Sequence, residues 1–161
     1  MFSLLHRSEP PTELLSSKLY DGESFYPELM KDLNKCQHEL LIESPFITNR
    51  RLNVLLPTLI KLKDRRVRVT INTRDPETHD DNEYLRSAAR EAISTLQHMG
   101  VQVLFTGNHH RKLAIIDRRI MWEGSLNILS YSNSCEVMRR IESVQLAWQM
   151  IRFTKIDKYI H

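Results

Sequence analysis

Between Gly107 and Leu129 the chain reads GNHHRKLAIIDRRIMWEGSLNIL. Two imidazoles stand side by side, His109 and His110, followed by an ammonium at Lys112, a carboxylate at Asp117, and a Gly-Ser-x-Asn run from Gly124 to Asn127. A neutral imidazole can attack phosphorus and carry a covalent intermediate. A lysine ammonium and an asparagine amide can grip the non-bridging oxygens of a phosphodiester and stabilise the charge that builds on them. That chemistry requires no metal, and no carboxylate cluster suited to Mg²⁺ accompanies it. The two cysteines, Cys36 and Cys135, lack any CxxC or Cys/His spacing, which argues against structural zinc and for reduced thiols.

These residues need elements to hold them. Tyr26, Leu29, Met30 and Leu33 recur at helical spacing and predict a helix from about Glu23 to Cys36. ELLIES (39–44) reads as a buried strand ending at Pro45. A Leu-rich helix follows over 50–64, with Pro57 as a kink or late start, and VRVTINT (67–73) alternates as a strand. Leu85, Ala88, Ala89, Ala92, Ile93 and Leu96 define a helix over 82–99, with Gly100 at its C-cap. VQVLF (101–105), KLAIID (112–117) and IMWEG (120–124) read as strands, the last two joined by Arg118-Arg119. Val144, Ala147, Trp148 and Ile151 mark a C-terminal helix that either covers the sheet or faces a second chain. Strands alternating with helices predict an α/β domain, a mixed, largely parallel sheet with helices on both faces. Residues 1–22 read as an irregular lead-in and 23–161 as one domain. On an extended strand His110 and Lys112 share a face while His109 points the other way, into packing or loop scaffolding.

The chain has 161 residues, 41% hydrophobic and 27% charged, enough for one domain with a core. Its formal net charge of +3 is compatible with a polyanionic partner. Eight Arg/Lys against one acid, Asp64, lie between Arg50 and Arg74, and six acids against two arginines between Asp75 and Glu91. The basic run is open to two readings, a solvated face or a rim for phosphates. Arg118-Arg119 and Arg139-Arg140 carry the same alternatives, and Trp122 reads as core. No apolar run reaches membrane-spanning length and the N-terminus has no signal-peptide core, so the expected location is cytoplasmic.

Written as spacings, the segment is His110-x-Lys112-x4-Asp117-x6-Gly124-Ser125-x-Asn127. It resembles the HKD motif of the phospholipase D superfamily at every fixed position, a match that arises by chance in a chain of this length with a probability on the order of 10⁻⁶. The wording KLAIIDRRIMWEGSLNIL followed by SNSCEVMRR is most similar to phospholipase D-like domains that stand alone or beside helicases in bacteria. The resemblance implies a phospholipase D-like fold, no cofactor, and a phosphohistidine mechanism. In it His110 is the nucleophile, Lys112 and Asn127 hold the phosphate, and Ser125 supports them. Asp117 is more a structural and electrostatic partner than a direct participant. A carboxylate downstream of Asn127 that fixes the histidine tautomer is implied as well, and Glu136 is the candidate. Arg139 and Arg140 are candidate substrate contacts.

One site of this family needs two motifs, and this chain has one: His6, His38, His79, His98 and His161 all lack a lysine two residues on. A homodimer with the motifs meeting across a two-fold axis is therefore expected. The leading reading is a metal-independent nuclease acting on DNA or RNA. Its rivals are a nucleic-acid-binding module without turnover, working beside a helicase or restriction partner, and a lipid phosphodiesterase. The lipid reading is disfavoured by the lack of an apolar anchor.

Overall fold

The computed structural model describes residues 16–78, 82–130 and 134–160. Residues 1–15 of the expected lead-in, Asp80 and Asp81 of the acidic run, and Tyr131–Asn133 before Ser134 lie outside the described residues. Seven strands form one sheet, β1 (Lys18–Asp21), β2 (Glu39–Glu43), β3 (Arg68–Thr73), β4 (Gln102–Phe105), β5 (Leu113–Ile116), β6 (Ile120–Gly124) and β7 (Val137–Glu142), in the spatial order β1-β7-β6-β5-β2-β3-β4. The helices are α1 (Phe25–Lys35), α2 (Asn49–Asp64), α3 (Glu83–His98) and α4 (Val144–Thr154).

Only β2-β3 and β3-β4 run parallel; the other four pairings are antiparallel. The sheet is mixed as expected but mostly antiparallel, because β5, β6 and β7 follow one another without the helical crossovers that parallel neighbours need. β1 falls inside the segment expected to be irregular. There Lys18 to Asp21 pair with Arg140 to Val137, so the sheet begins ahead of residue 23.

Alternation along each strand sorts the core into two layers. Leu40, Ile42, Val69, Ile71, Ala114, Ile116, Trp122 and Met138 face α1, α2 and α3. Leu41, Leu113, Ile115, Met121 and Ile141 face α4, which presents Ala147 and Ile151 to them. The C-terminal helix thus covers the sheet, and Trp122 is core. Side-chain caps fix three helix starts: Thr48 accepts from Arg51 N, Asn82 from Leu85 N, and Ser143 from Leu146 N. Helix α2 runs through Pro57, and Gly100 ends the turn after α3 at φ +77°.

A candidate phosphodiester site at one end of the sheet

β2 and β5 run antiparallel with Glu43 opposite Leu113. The loop from Thr106 to Lys112 therefore sits beside the C-terminal end of β2, where open α/β sheets place their ligand sites. The register of β6 sets Glu123 beside Leu113, and the Gly124 N–H donates to the Lys112 carbonyl at 3.3 Å. Ser125 then donates its N–H to the Val137 carbonyl at 2.9 Å, next to Glu136. Four of the motif side chains, His110, Lys112, Ser125 and Asn127, and with them Glu136, are thus carried to the same end of the sheet.

His110 and Lys112 precede β5 rather than lie on it, so their shared orientation is set by the loop and not by strand alternation. The Lys112 ammonium turns back to the His110 carbonyl at 2.7 Å. The His110 ring is exposed and makes no hydrogen bond among the described residues. His109 is the opposite, 2% exposed. Its Nε2 lies 3.2 Å from the Asn72 carbonyl, and its Nδ1 accepts the Arg111 N–H at 3.2 Å. Burial lowers the pKa of His109 and nearby Arg111 and Lys112 add to that, against the opposing pull of Glu43 and the Asn72 carbonyl. His109 is scaffold.

Arg111, between the two motif residues, reaches inward. Its guanidinium makes a two-pronged pair with Glu43, through Nε and, at 2.9 Å, through NH2. Glu43 is fully buried, and the Asn72 amide donates to it at 3.0 Å while Asn72 Oδ1 accepts from Thr106. This Glu43–Arg111–Asn72–His109 lattice pins the loop on both sides of His110. Reading the motif alone misses it. The available signal was a charged residue in the otherwise apolar strand ELLIE, since a buried carboxylate demands a partner.

Ser125 donates to the Glu136 carboxylate, as does Ser134, and receives the Val137 N–H at 3.0 Å. Glu136 was expected to hold the histidine, yet no hydrogen bond joins it to His110 among the described residues; the serines engage it instead. Asn127 Oδ1 is buried without a hydrogen-bond partner among the described residues. A glycine in such a motif can let a ligand approach the backbone closely. What Gly124 makes room for is β7, since a Cβ there would lie 2.1 Å from the Val137 carbonyl oxygen.

Two expected site residues are elsewhere. Asp117 is at the opposite end of β5, where its carboxylate accepts the N–H groups of Gln37, His38 and Glu39 at 2.8–2.9 Å. Burial raises its pKa, but those amides and the Cys36 thiol outweigh it and hold the carboxyl below its ordinary value. Asp117 thus ties the turn after β5 to the start of β2. Cys36, packed against it, has its thiol pushed up to about 12 by burial and by the Asp117 charge. Arg140 faces the helices and binds Asp32 at 2.8 and 3.0 Å, beside the Trp122 indole on the same carboxylate. Its guanidinium is thus engaged within the chain. Its neighbour Arg139 points to the other face, 51% exposed, where it lines a cavity of about 420 Å³ together with Arg111 and Lys112.

The basic run divides likewise. Arg50 and Arg51 open α2 and Arg74 follows β3, all at the His110 end. Arg65, Arg66 and Arg68 lie at the far end; Arg65 donates to the Asn34 and Leu33 carbonyls and Arg68 pairs with Glu39. Arg118 pairs with Glu39 and Arg119 with Glu142, so the β5-β6 turn is engaged within the chain. Among the described residues no group of three or more His, Cys, Asp or Glu side chains could hold a metal ion, and no helix is long and apolar enough to cross a membrane.

The family model described as "Cardiolipin synthase, PLD-like domain" matches residues 29–156, most of the chain. The chain belongs to the phospholipase D-like family. A search of curated proteins finds none that matches. Among solved structures, this phospholipase D-like chain is similar to Nuc from Salmonella typhimurium, a phospholipase D family member, at 17% identity and a TM-score of 0.69, over 86% of this chain and 90% of that one. NucT from Helicobacter pylori matches at 17% identity and 0.66, over 86% and 92%. TrmBL2, an archaeal chromatin protein described as showing a novel mode of DNA binding, matches at 17% and 0.59, over 96% of this chain and 55% of that one. These likenesses establish the phospholipase D-like fold and, at such identities, nothing finer.

Proposed function

We propose that the chain is a metal-independent nuclease that cleaves DNA or RNA through a phosphohistidine, at a site shared by two copies. One observation carries the reading. An exposed imidazole, an ammonium, a half-buried amide and three arginines gather at one end of the sheet, while the chain holds only one H-x-K. His110 attacks phosphorus, forming an N–P bond as the P–O bond to the leaving group breaks. The partner copy's histidine gives its proton to the leaving oxygen, then takes one from the water that hydrolyses the N–P bond. Lys112 and Asn127 stabilise the charge on the non-bridging oxygens, and Arg139 borders the substrate path. Glu136 holds Ser125 and with it the Gly124–Asn127 turn.

Nucleic acid is favoured over lipid by Arg50, Arg51 and Arg74 flanking the site and by the net positive charge. The DNA-binding description of TrmBL2 supports the same choice and also favours a second reading, binding without turnover, with a helicase or restriction system supplying the chemistry. Cleavage of single-stranded DNA, duplex DNA and RNA in excess EDTA, wild type beside His110→Ala, separates these. The nuclease reading expects cleavage that survives the chelator and vanishes in the variant. Binding without cleavage supports the second reading, and EDTA-sensitive cleavage contradicts the histidine mechanism.

A further inference from the structure

A second concavity opens beside the motif. The loop after β2 is bound to the segment after β6 by two hydrogen bonds, Thr48 N to the Leu129 carbonyl at 2.9 Å and Leu129 N to Ser44 Oγ at 3.1 Å. Between that loop and the first turns of α3 lies a cavity of about 440 Å³, lined by Phe46, Arg50, Tyr84, Leu85, Ala88 and Ser130 among others. Ser130 ties it to the site, since its N–H donates to the backbone carbonyl of Asn127 at 3.2 Å. Ser130 also lines the adjoining cavity that holds Arg51 and Glu136.

The lining pairs aromatic and aliphatic walls with cations. Tyr84 is 79% exposed, and Leu85 is exposed beside it. A tyrosine on the solvent side of a helix start contributes nothing to the core, and its ring stands at the rim of an apolar cavity. The Arg74 guanidinium lies 5.6 Å from the Phe46 ring centre, and Arg50 borders the opening. Flat apolar faces beside arginines are what single-stranded nucleic acids use, the bases stacking on rings while the cations follow the phosphates. A paired base cannot reach a recess, because its faces are covered by its neighbours in the duplex.

We propose that this cavity receives an unstacked base of a single-stranded nucleic acid whose phosphates run past Arg50 to His110, so that the chain prefers single strands over duplex. This rests on the nucleic-acid reading above. The charge around the opening selects this occupant over an acyl chain, whose recess would need no cations at its mouth.

The test is fluorescence anisotropy with a labelled oligonucleotide, single-stranded or annealed to its complement, in the His110→Ala background so that no strand is cut. Tyr84→Ala is expected to weaken single-strand binding about ten-fold, the scale of one lost base–aromatic stack, and to leave duplex binding unchanged; Tyr84→Trp is expected to restore it. Because Tyr84 is exposed, neither change threatens the fold. Equal losses on both forms, or none, would overturn the base cavity and leave the nuclease reading standing. No binding of either form by the parent would overturn both. Loss of binding to phosphatidylcholine–cardiolipin vesicles in Tyr84→Ala, with oligonucleotide affinity unchanged, would replace the base by an acyl chain.

Discussion

At Asp117 three consecutive amides converge on one carboxylate, an arrangement that stabilises the anion and fixes where β2 begins. Asp117→Asn removes the charge and one acceptor oxygen, and about 2 kcal/mol of stability should go with them; below the melting transition, cleavage should persist. Loss of cleavage in a protein that still melts cooperatively would return Asp117 to the chemistry. Its folded pKa is lowered, so its contribution is present above the unfolded value of about 3.9 and is lost as pH falls through the folded one. His109 acts at milder pH. Its folded pKa is also lowered, by burial first, so the unfolded chain binds the proton more readily. The stability it supplies is complete above about 6.5 and declines as pH falls below that towards the folded value. Urea denaturation at about pH 7.5 and pH 5.5 measures this: the wild type should lose more between the two than His109→Gln, and equal losses would mean that His109 is protonated in the folded chain.

The elements show why some of the molecule can be read from the sequence and some cannot. Helices α1, α2 and α3 carry 3.6-residue patterns, β3 alternates and β2 is an apolar run ended by Pro45, and all fall within two residues of where those signals predict. β7 alternates in space but not in hydrophobicity. Met138 and Arg140 face one layer and Ile141 the other, with Arg140 taking an apolar residue's place to bind Asp32, so VMRRIE resembles a charged loop. β1 is a short edge strand with little buried surface and has almost no pattern to detect. The motif was legible because its spacing is specific. The lattice under it was not, because Glu43, Asn72 and Arg111 come together only through the β2-β3-β5 pairing. The Gly124 contact belongs to this scale as well. Gly124→Ala drives a methyl into the Val137 carbonyl, and forcing β6 from β7 should cost about 3 kcal/mol. It should also impair cleavage, since Ser125 hangs on the same pairing; a variant as stable as wild type would show that β7 yields freely.

At the scale of the whole molecule, the proposed mechanism turns on a second chain. A single chain carries one exposed His110, one Lys112 and one Asn127, while the chemistry proposed for them needs a second histidine to protonate the leaving group. Arg50, Arg51 and Arg74 lie at that end of the sheet and Arg139 borders it. Two such ends facing across a two-fold axis would hold a polyanion between cations from both copies. That account also expects binding to weaken steeply as salt rises.

The most direct test is to refold wild type with an excess of differently tagged His110→Ala chains, isolate the mixed dimers, and measure cleavage in EDTA. A shared site predicts almost no activity in the mixed dimer, because each such dimer lacks either nucleophile or acid. About half the wild-type activity per dimer would mean that each chain works alone, and the account of a site built from two copies would be wrong.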